Sequence, residues 1–252
     1  MNFNCEFSLQ HYLSVLNDSK DNFFIAKLGN FDKIKTKKKI IFLRHDVDFS
    51  LEYALDLAVQ ESKNFLNSTY FVLTHSDFYN VMSKHNSNII NKIIDLGHEV
   101  GLHYDTSFLP DSNAKQLKFI KDEVAMLEKI TGSKIKSVSP HIPSETLKIK
   151  VNLEKSGFID STYSSKLKTF KYISDSGRYW REKCMCKNIG KYDRLQILTH
   201  PIWWIRDGKS RNGVLEQLKM DQIKKIDFEI IQYKKMVDRL LISLNAPRSE
   251  FS

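Results

Sequence analysis

The chain has few cysteines, three in 252 residues, and they are badly spaced for cross-links. Cys184 and Cys186 are only two positions apart, too close for an ordinary disulfide and not a CxxC pair, and Cys5 is distant in sequence. A zinc site on Cys184 and Cys186 would need clustered ligands that their own segment lacks, so the sequence predicts three reduced thiols. No apolar run approaches the length of a membrane span. The opening residues lack the basic-then-apolar layout of a secretory leader, and the expected location is the cytoplasm. No helix-turn-helix, zinc-finger or RNP-like pattern is present, so no nucleic-acid partner is expected. No internal repeat or low-complexity segment interrupts the chain.

What is there is an ordinary globular composition, 41% hydrophobic and 27% charged, enough for a sizeable core. The formal charge of +9 is read chiefly as lysines on solvated helix faces, with acidic or nucleotide-linked sugars or an anionic membrane surface as the alternatives. Strand-like and helix-like stretches alternate. A helix is predicted from Ser8 to Asn17, a strand over 39–44, a helix capped by Ser50, and a strand over 68–73. A helix over 86–96 stops at Gly97, and a strand follows at 98–102. A helix over 112–130, a strand near 134–139, a helix from Pro143 to about Gly157 and a short strand at 157–160 come next. Residues 165–192 read as loop, 194–199 as strand, and 213–245 as one long helix or a broken pair. Such alternation implies parallel strands joined by right-handed crossovers.

The most informative stretch is Arg44-His45-Asp46-Val47-Asp48, where an apolar strand ends in a crowd of ionisable groups. Strand side chains alternate, so an extended backbone puts Asp46 and Asp48 on one side. One carboxylate could then bind a divalent cation while the other accepts a proton from an activated water. His103, Pro140-His141, Asp160 and His200 also fall just after predicted strands. In a (β/α) barrel such ends converge on one face, where catalytic groups sit.

In order, Arg44-His45-Asp46-Val47-Asp48, Gly97-His98-Glu99-Val100-Gly101-Leu102-His103-Tyr104, Ser139-Pro140-His141, Asp160-Ser161-Thr162-Tyr163 and Leu198-Thr199-His200-Pro201 resemble the motifs of the NodB-homology polysaccharide deacetylases, carbohydrate esterase family 4. The likeness is nearest to the WbmS-like branch associated with surface-polysaccharide gene clusters. It implies an α/β fold, a distorted (β/α) barrel, with a short N-terminal helical extension (1–38), a barrel core (39–205) and a C-terminal helical segment of the same domain (206–252). It also implies a divalent metal, expected to be zinc. By the resemblance Asp46 is the general base, Asp48 and His103 are metal ligands, and His200 is the general acid.

The chain departs from the family where its second metal histidine would stand, because that position is Ser107. His141 is the first choice for the third ligand, with Asp105 and His45 as alternatives. Asp160 is expected either to orient His200 or Arg44, or to start a turn. Arg44, Tyr163, Arg181 and Trp203 are candidate substrate contacts, and the aromatic and charged loop 172–182 suits sugar stacking and anion recognition. His98 is expected to be structural, His75 eligible by position only, and His11 and His85 ordinary surface or helix residues. The implied substrate is a sugar, sugar nucleotide or lipid-linked glycan precursor. The last helix could be a membrane-surface helix, a helix packed on the barrel or an oligomer contact; the oligomeric state is left open.

Overall fold

In a computed structural model, residues 5–142, 151–206 and 210–244 are described. The chain divides into two compact units, Met1–Ile205 and Arg206–Ser252. The first holds an eight-stranded, all-parallel sheet in the order β6-β5-β4-β3-β2-β8-β7, with β1 beside β2. The strands are β1 Phe23–Ala26, β2 Lys39–Val47, β3 Thr69–Leu73, β4 Glu99–Asp105, β5 Ser137–His141, β6 Ile159–Asp160, β7 Lys171–Ser174 and β8 Arg194–Thr199. β2 shares one edge between two partners: β1 pairs with Lys39–Phe42 and β3 with Arg44–Val47. The result is a half-barrel with helices around it, an α/β fold of the distorted-barrel kind.

The helices form where the sequence predicts them, and their starts are set by serine caps. α1 Leu9–Ser19, α2 Leu51–Lys63, α3 Lys84–Asp95 and α4 Asn113–Thr131 begin after Ser8, Ser50, Ser83 and Ser112. Each hydroxyl accepts from a backbone N–H three residues on. Each such bond satisfies an otherwise orphaned donor and contributes about 1 kcal/mol. α4 ends at Gly132, whose φ of +62° is the left-handed conformation that a Cβ disfavours. The long apolar core lies between the helices and the outer face of the sheet, built from Val47, Tyr70, Val72, Val100, Leu102, Tyr104 and Val138 with Leu51, Ile90, Ile93, Ile120 and Leu127.

Several expectations shift. β2 continues through Val47, so Arg44, His45 and Asp46 lie in the strand itself and Asp48 directly after it. β1, β7 and the short helices α5 Met185–Asn188 and α6 Ile202–Ile205 are additional. Each has only four residues, too few to carry a period. Most of the helix expected from Pro143 lies outside the described residues, and its end, Leu153–Ser156, is a single 3-10 turn closed by Gly157.

The second unit contains α7, Arg211–Ser243, started by the Ser210 hydroxyl accepting from Gly213 N. Among the described residues, no helix is long and apolar enough to cross a membrane.

Candidate active site

The inner face of the half-barrel is built in layers, because every second residue of each strand points inward. At the strand N-termini, Glu99 accepts from Thr69 Oγ1 at 2.9 Å and from Gly29 N at 2.7 Å, and binds the Ser137 hydroxyl. The next layer is apolar, with Phe42, Phe71, Ile159, Leu167 and Phe170. Gly101 is required here: a Cβ on it would lie 2.6 Å from the Phe71 ring and 2.8 Å from the Ser137 carbonyl. The space lets the Phe71 ring lie flat beneath Arg44, whose guanidinium sits 4.8 Å from the ring centroid.

Arg44 is 2% exposed and spends its donors inside the protein. It reaches Asp46 Oδ1 and Oδ2 at 2.5 and 2.7 Å and Ser161 Oγ at 2.5 Å, and it also bonds the Ser139 hydroxyl. It therefore fixes Asp46 from below and ties β2 to the start of the loop after β6. Burial works to raise the Asp46 pKa, but Arg44, His103 and His200 outweigh it and hold the carboxyl below the usual range. Asp46 is ionised at neutral pH.

The top layer brings together residues from four strands. His103 Nδ1 is 2.9 Å from the Ser139 carbonyl oxygen, which can only accept, so this nitrogen carries the proton. In the neutral ring, Nε2 then offers a lone pair. It lies 3.4 Å from Asp48 Oδ1, 3.6 Å from Asp46 Oδ2 and 3.2 Å from His141 Nδ1. His141 Nδ1 is 3.5 Å from the same Asp48 oxygen. Asp48 Oδ1 is buried and has no hydrogen-bond partner. One ligand atom from each of Asp48, His103 and His141 lies within 4.8 Å of the others. An orphaned carboxylate oxygen facing the lone pair of a backbone-anchored imidazole is a donor set that fits a divalent cation.

On the other side of Asp48, His200 Nε2 stands 3.6 Å from Oδ2. Its Nδ1 is 2.6 Å from Asp175 Oδ1, and its backbone N donates to both oxygens of that carboxylate at 3.1 Å. Trp204 Nε1 donates to Asp175 Oδ2 at 2.7 Å. Burial lowers the His200 pKa, but the Asp175 carboxylate, with Asp48 and Asp46, overrides it and raises the ring to about 9. His200 is thus a protonated imidazole at neutral pH with Nε2–H facing the cleft. The cleft has a volume of about 1050 Å³, and its lining includes Asp46, Asp48, His103, His141, Tyr163, Tyr172, Arg181 and His200.

The structure therefore brings Asp46, Asp48, His103, His141 and His200 into one cluster, with Tyr163 and Arg181 on the wall of the same cleft. The remaining candidate residues divide. Asp160 does not reach His200: its Oδ1 accepts from the N–H groups of Thr162 and Tyr163, and its Oδ2 from the Tyr104 hydroxyl. It starts a turn, and Asp175 orients the imidazole. Arg44 lines the cleft beneath Asp46, its two terminal nitrogens bonded to Asp46, Ser139 and Ser161 and its Nε without a partner among the described residues. Trp203 is 3% exposed and packs edge-on against Phe49, which itself lines the cleft. His45 points to the opposite face of β2, where it bonds Thr199 Oγ1 at 2.7 Å and Glu61 Oε1 at 2.9 Å. The Asp105 carboxylate accepts from Ser107 N, which keeps it in the turn where the sequence has Ser107. His75 lies on the cleft rim, bonded to Glu123 at 2.6 Å and stacked on Phe108. His98 is structural, bonded to Ser68 and 3.0 Å from the Ala58 carbonyl.

Asp175 is the residue that sequence reasoning missed in this role. A signal existed: Lys171-Tyr172-Ile173-Ser174 followed by an acid repeats the strand-then-carboxylate pattern of β2. Parallel pairing of Ser174 with Leu198 then sets Asp175 beside the residues that follow β8. The rest of the loop divides. Tyr172 and Arg181 face the cleft, whereas Trp180 stacks on Phe7 with centroids 6.2 Å apart and Arg178 lies over the same Phe7 ring at 5.3 Å.

No protein-family model and no curated protein matches this chain. Solved structures similar to it include carbohydrate esterase family 4 proteins. A pseudoenzyme of that family from Bacillus anthracis has 16% identity and a TM-score of 0.46, over 76% of this chain and 63% of that one. A family 4 carbohydrate esterase from the same organism has 19% identity and a TM-score of 0.43, over 85% and 86%. The chitin deacetylase of Colletotrichum lindemuthianum has 17% identity and a TM-score of 0.45, over 71% and 81%. The chain spans less than two thirds of the length of the pseudoenzyme.

Proposed function

We propose that the protein is a metal-dependent hydrolase that removes an N-acyl group, N-acetyl in the first instance, from a sugar precursor of a surface glycan such as O-antigen or capsule. The observation that carries this reading is the arrangement around Asp48. A cation-ready triad of Asp48, His103 and His141 is flanked by an ionised carboxylate on one side and a protonated imidazole on the other. Amide hydrolysis needs those two groups in those two states. Asp46, held ionised by Arg44, takes the proton of the attacking water. His200, held charged by Asp175, gives its Nε2 proton to the departing amine nitrogen. A divalent cation, for which zinc is the first candidate, supplies Lewis acidity for the water and the acyl oxygen. Tyr163, Tyr172 and Arg181 on the cleft wall offer ring faces and a guanidinium for a polar, ring-shaped substrate.

The same reading assigns the chain to the WbmS-like branch of the deacetylase family, with residues 39–205 as catalytic core and 1–38 as an extension of it. A sugar nucleotide or lipid-linked sugar in the cytoplasm is the proposed substrate form. The test is acetate release from N-acetylated sugar nucleotides and lipid-linked sugars by the metal-loaded protein. Asp46→Asn and His200→Ala are expected to abolish it. Normal glycan processing by a metal-free protein, or by both variants, would overturn the reading. Ser107, in place of the family's second histidine, keeps one chemical variant in view, hydrolysis of another sugar C–N bond such as a formamide or acetamidine. Product mass separates the two, since acetate leaves in only one of them.

A further inference from the structure

We infer a second metal site: a structural tetrahedral zinc held by Cys5, His11, Cys184 and Cys186. One ligand atom from each lies within 4.8 Å of the other three. Cys5 Sγ is 3.1 Å from Cys186 Sγ, and His11 Nε2 is 3.3 Å from Cys184 Sγ. Tetrahedral zinc with Zn–S of about 2.3 Å and Zn–N of about 2.0 Å requires edges of roughly 3.5–3.8 Å, so these two pairs, at 3.1 and 3.3 Å, need only open by a few tenths of an ångström to admit the ion. The donor set, three thiols and one imidazole, is one of the usual closed structural sets for zinc. In sequence, Cys184 and Cys186 have no further ligands in their own segment. The fold supplies the other two from a region more than 170 residues away.

Both halves of the site are shaped independently of any ion. α1 is anchored by Tyr12, fully buried, whose hydroxyl bonds Glu61 and whose ring packs on Trp204. His11, in α1 beside it, is a helix residue as expected but a buried one, 6% exposed. In the other half, Lys183 adopts a φ of +70° immediately before Cys184. The Asn188 side-chain amide donates to the carbonyls of Glu182, Lys183 and Cys184, fixing that turn. A disulfide between Cys5 and Cys186 would use only two of the four converging groups, whereas a tetrahedral ion uses all four.

Zinc binding here replaces three thiol protons, which pass to solvent, and the neutral His11 ring contributes its Nε2 lone pair. The consequence is a clasp between the N-terminal segment and the loop before β8. Between the ligands Cys5 and His11, Phe7 packs on Trp180 and, at 5.0 Å, on Trp204, and Trp204 bonds the Asp175 that orients His200. The clasp is distinct from the Asp48 triad and does not depend on the proposed reaction.

The test uses the full chain, purified with a non-thiol reductant, in wild-type and Asp48→Ala forms, with zinc counted by mass spectrometry. Asp48→Ala is expected to keep one zinc per chain, and Cys5→Ser and Cys184→Ser in that background to lose it. Loading with cobalt(II) is expected to give a thiolate charge-transfer band and tetrahedral visible bands in Asp48→Ala, both absent from the cysteine variants. Cys5→His, which retains a ligand at the exposed corner, is expected to keep the ion, and this controls for misfolding of the buried variants. Zinc absent from Asp48→Ala, cobalt spectra without the thiolate band, or an intact mass showing a Cys5–Cys186 disulfide under the same reductant would each overturn the site.

Discussion

Replacing Glu61 by Gln tests how the back of the catalytic strand is held. Glu61 is fully buried in α2, on the face of β2 opposite Asp46. Its carboxylate accepts from Ser68 Oγ at 2.7 Å, Tyr70 Oη at 2.8 Å and the Tyr12 hydroxyl, and is paired with His45 Nε2 at 2.9 Å. Burial pushes the carboxyl up, but His45, His98 and the hydroxyl donors outweigh it and hold it at about 2 against an ordinary 4.5. That gap corresponds to about 3 kcal/mol of native stability. The folded pKa lies below the unfolded one. The contribution is therefore complete above pH 4.5, shrinks as pH falls below that value, and is gone once pH passes through about 2. Glu61→Gln removes the charge at nearly constant volume. Urea unfolding at matched slopes is expected to show the variant about 3 kcal/mol less stable at pH 7, with the difference from wild type narrowing steadily below pH 4.5. A difference under about 1 kcal/mol at pH 7, or one of equal size at pH 7 and pH 3, would refute the view of Glu61 as an ionised hub.

Further outcomes follow from the cleft. Asp175→Asn keeps the size of the orienting group but not its charge, and turnover in the acetate-release assay is expected to fall by about 10²–10⁴-fold. Metal bound at the Asp48 triad should be unchanged in that variant. His103→Ala and Asp48→Ala are expected to lose the triad's metal ion, read by elemental analysis beside wild type. Gly101→Ala forces a Cβ to within 2.6 Å of the Phe71 ring, and is expected to cost about 1–3 kcal/mol in urea unfolding and to disturb Arg44 above it. Arg44→Met leaves Asp46 buried without its cation. It is expected to destabilise the fold by about 3–5 kcal/mol, with Arg44→Met/Asp46→Leu recovering much of that loss.

Much of the site could be read from residue order alone, for local reasons. Strand alternation puts Arg44, Asp46 and Asp48 on one side and His45 on the other, and the observed partners follow that division. The Ser8 and Ser50 caps located α1 and α2, and the Gly97 and Gly132 stops located the ends of α3 and α4, because such signals act within a turn of themselves, whereas the caps at Ser83 and Ser112 were seen only in the structure. Parallel pairing then made the ends of β2, β4, β5 and β8 converge, so that His103, His141 and His200 meet Asp48.

Tertiary structure alone decided the rest. Which acid orients His200 depends on the register of β7 against β8, and β7 is too short to announce itself, so it is Asp175 that holds the imidazole while Asp160, for which sequence left both roles open, starts a turn. The role of Gly101 is visible only when the Phe71 ring of the neighbouring strand lies against it. The meeting of Cys5 and His11 with Cys184 and Cys186 is fixed by where α1 docks, which no local spacing encodes. Sequence determines what can be settled within a turn or a strand pleat; distances across the barrel are settled by packing, where separation along the chain carries no information.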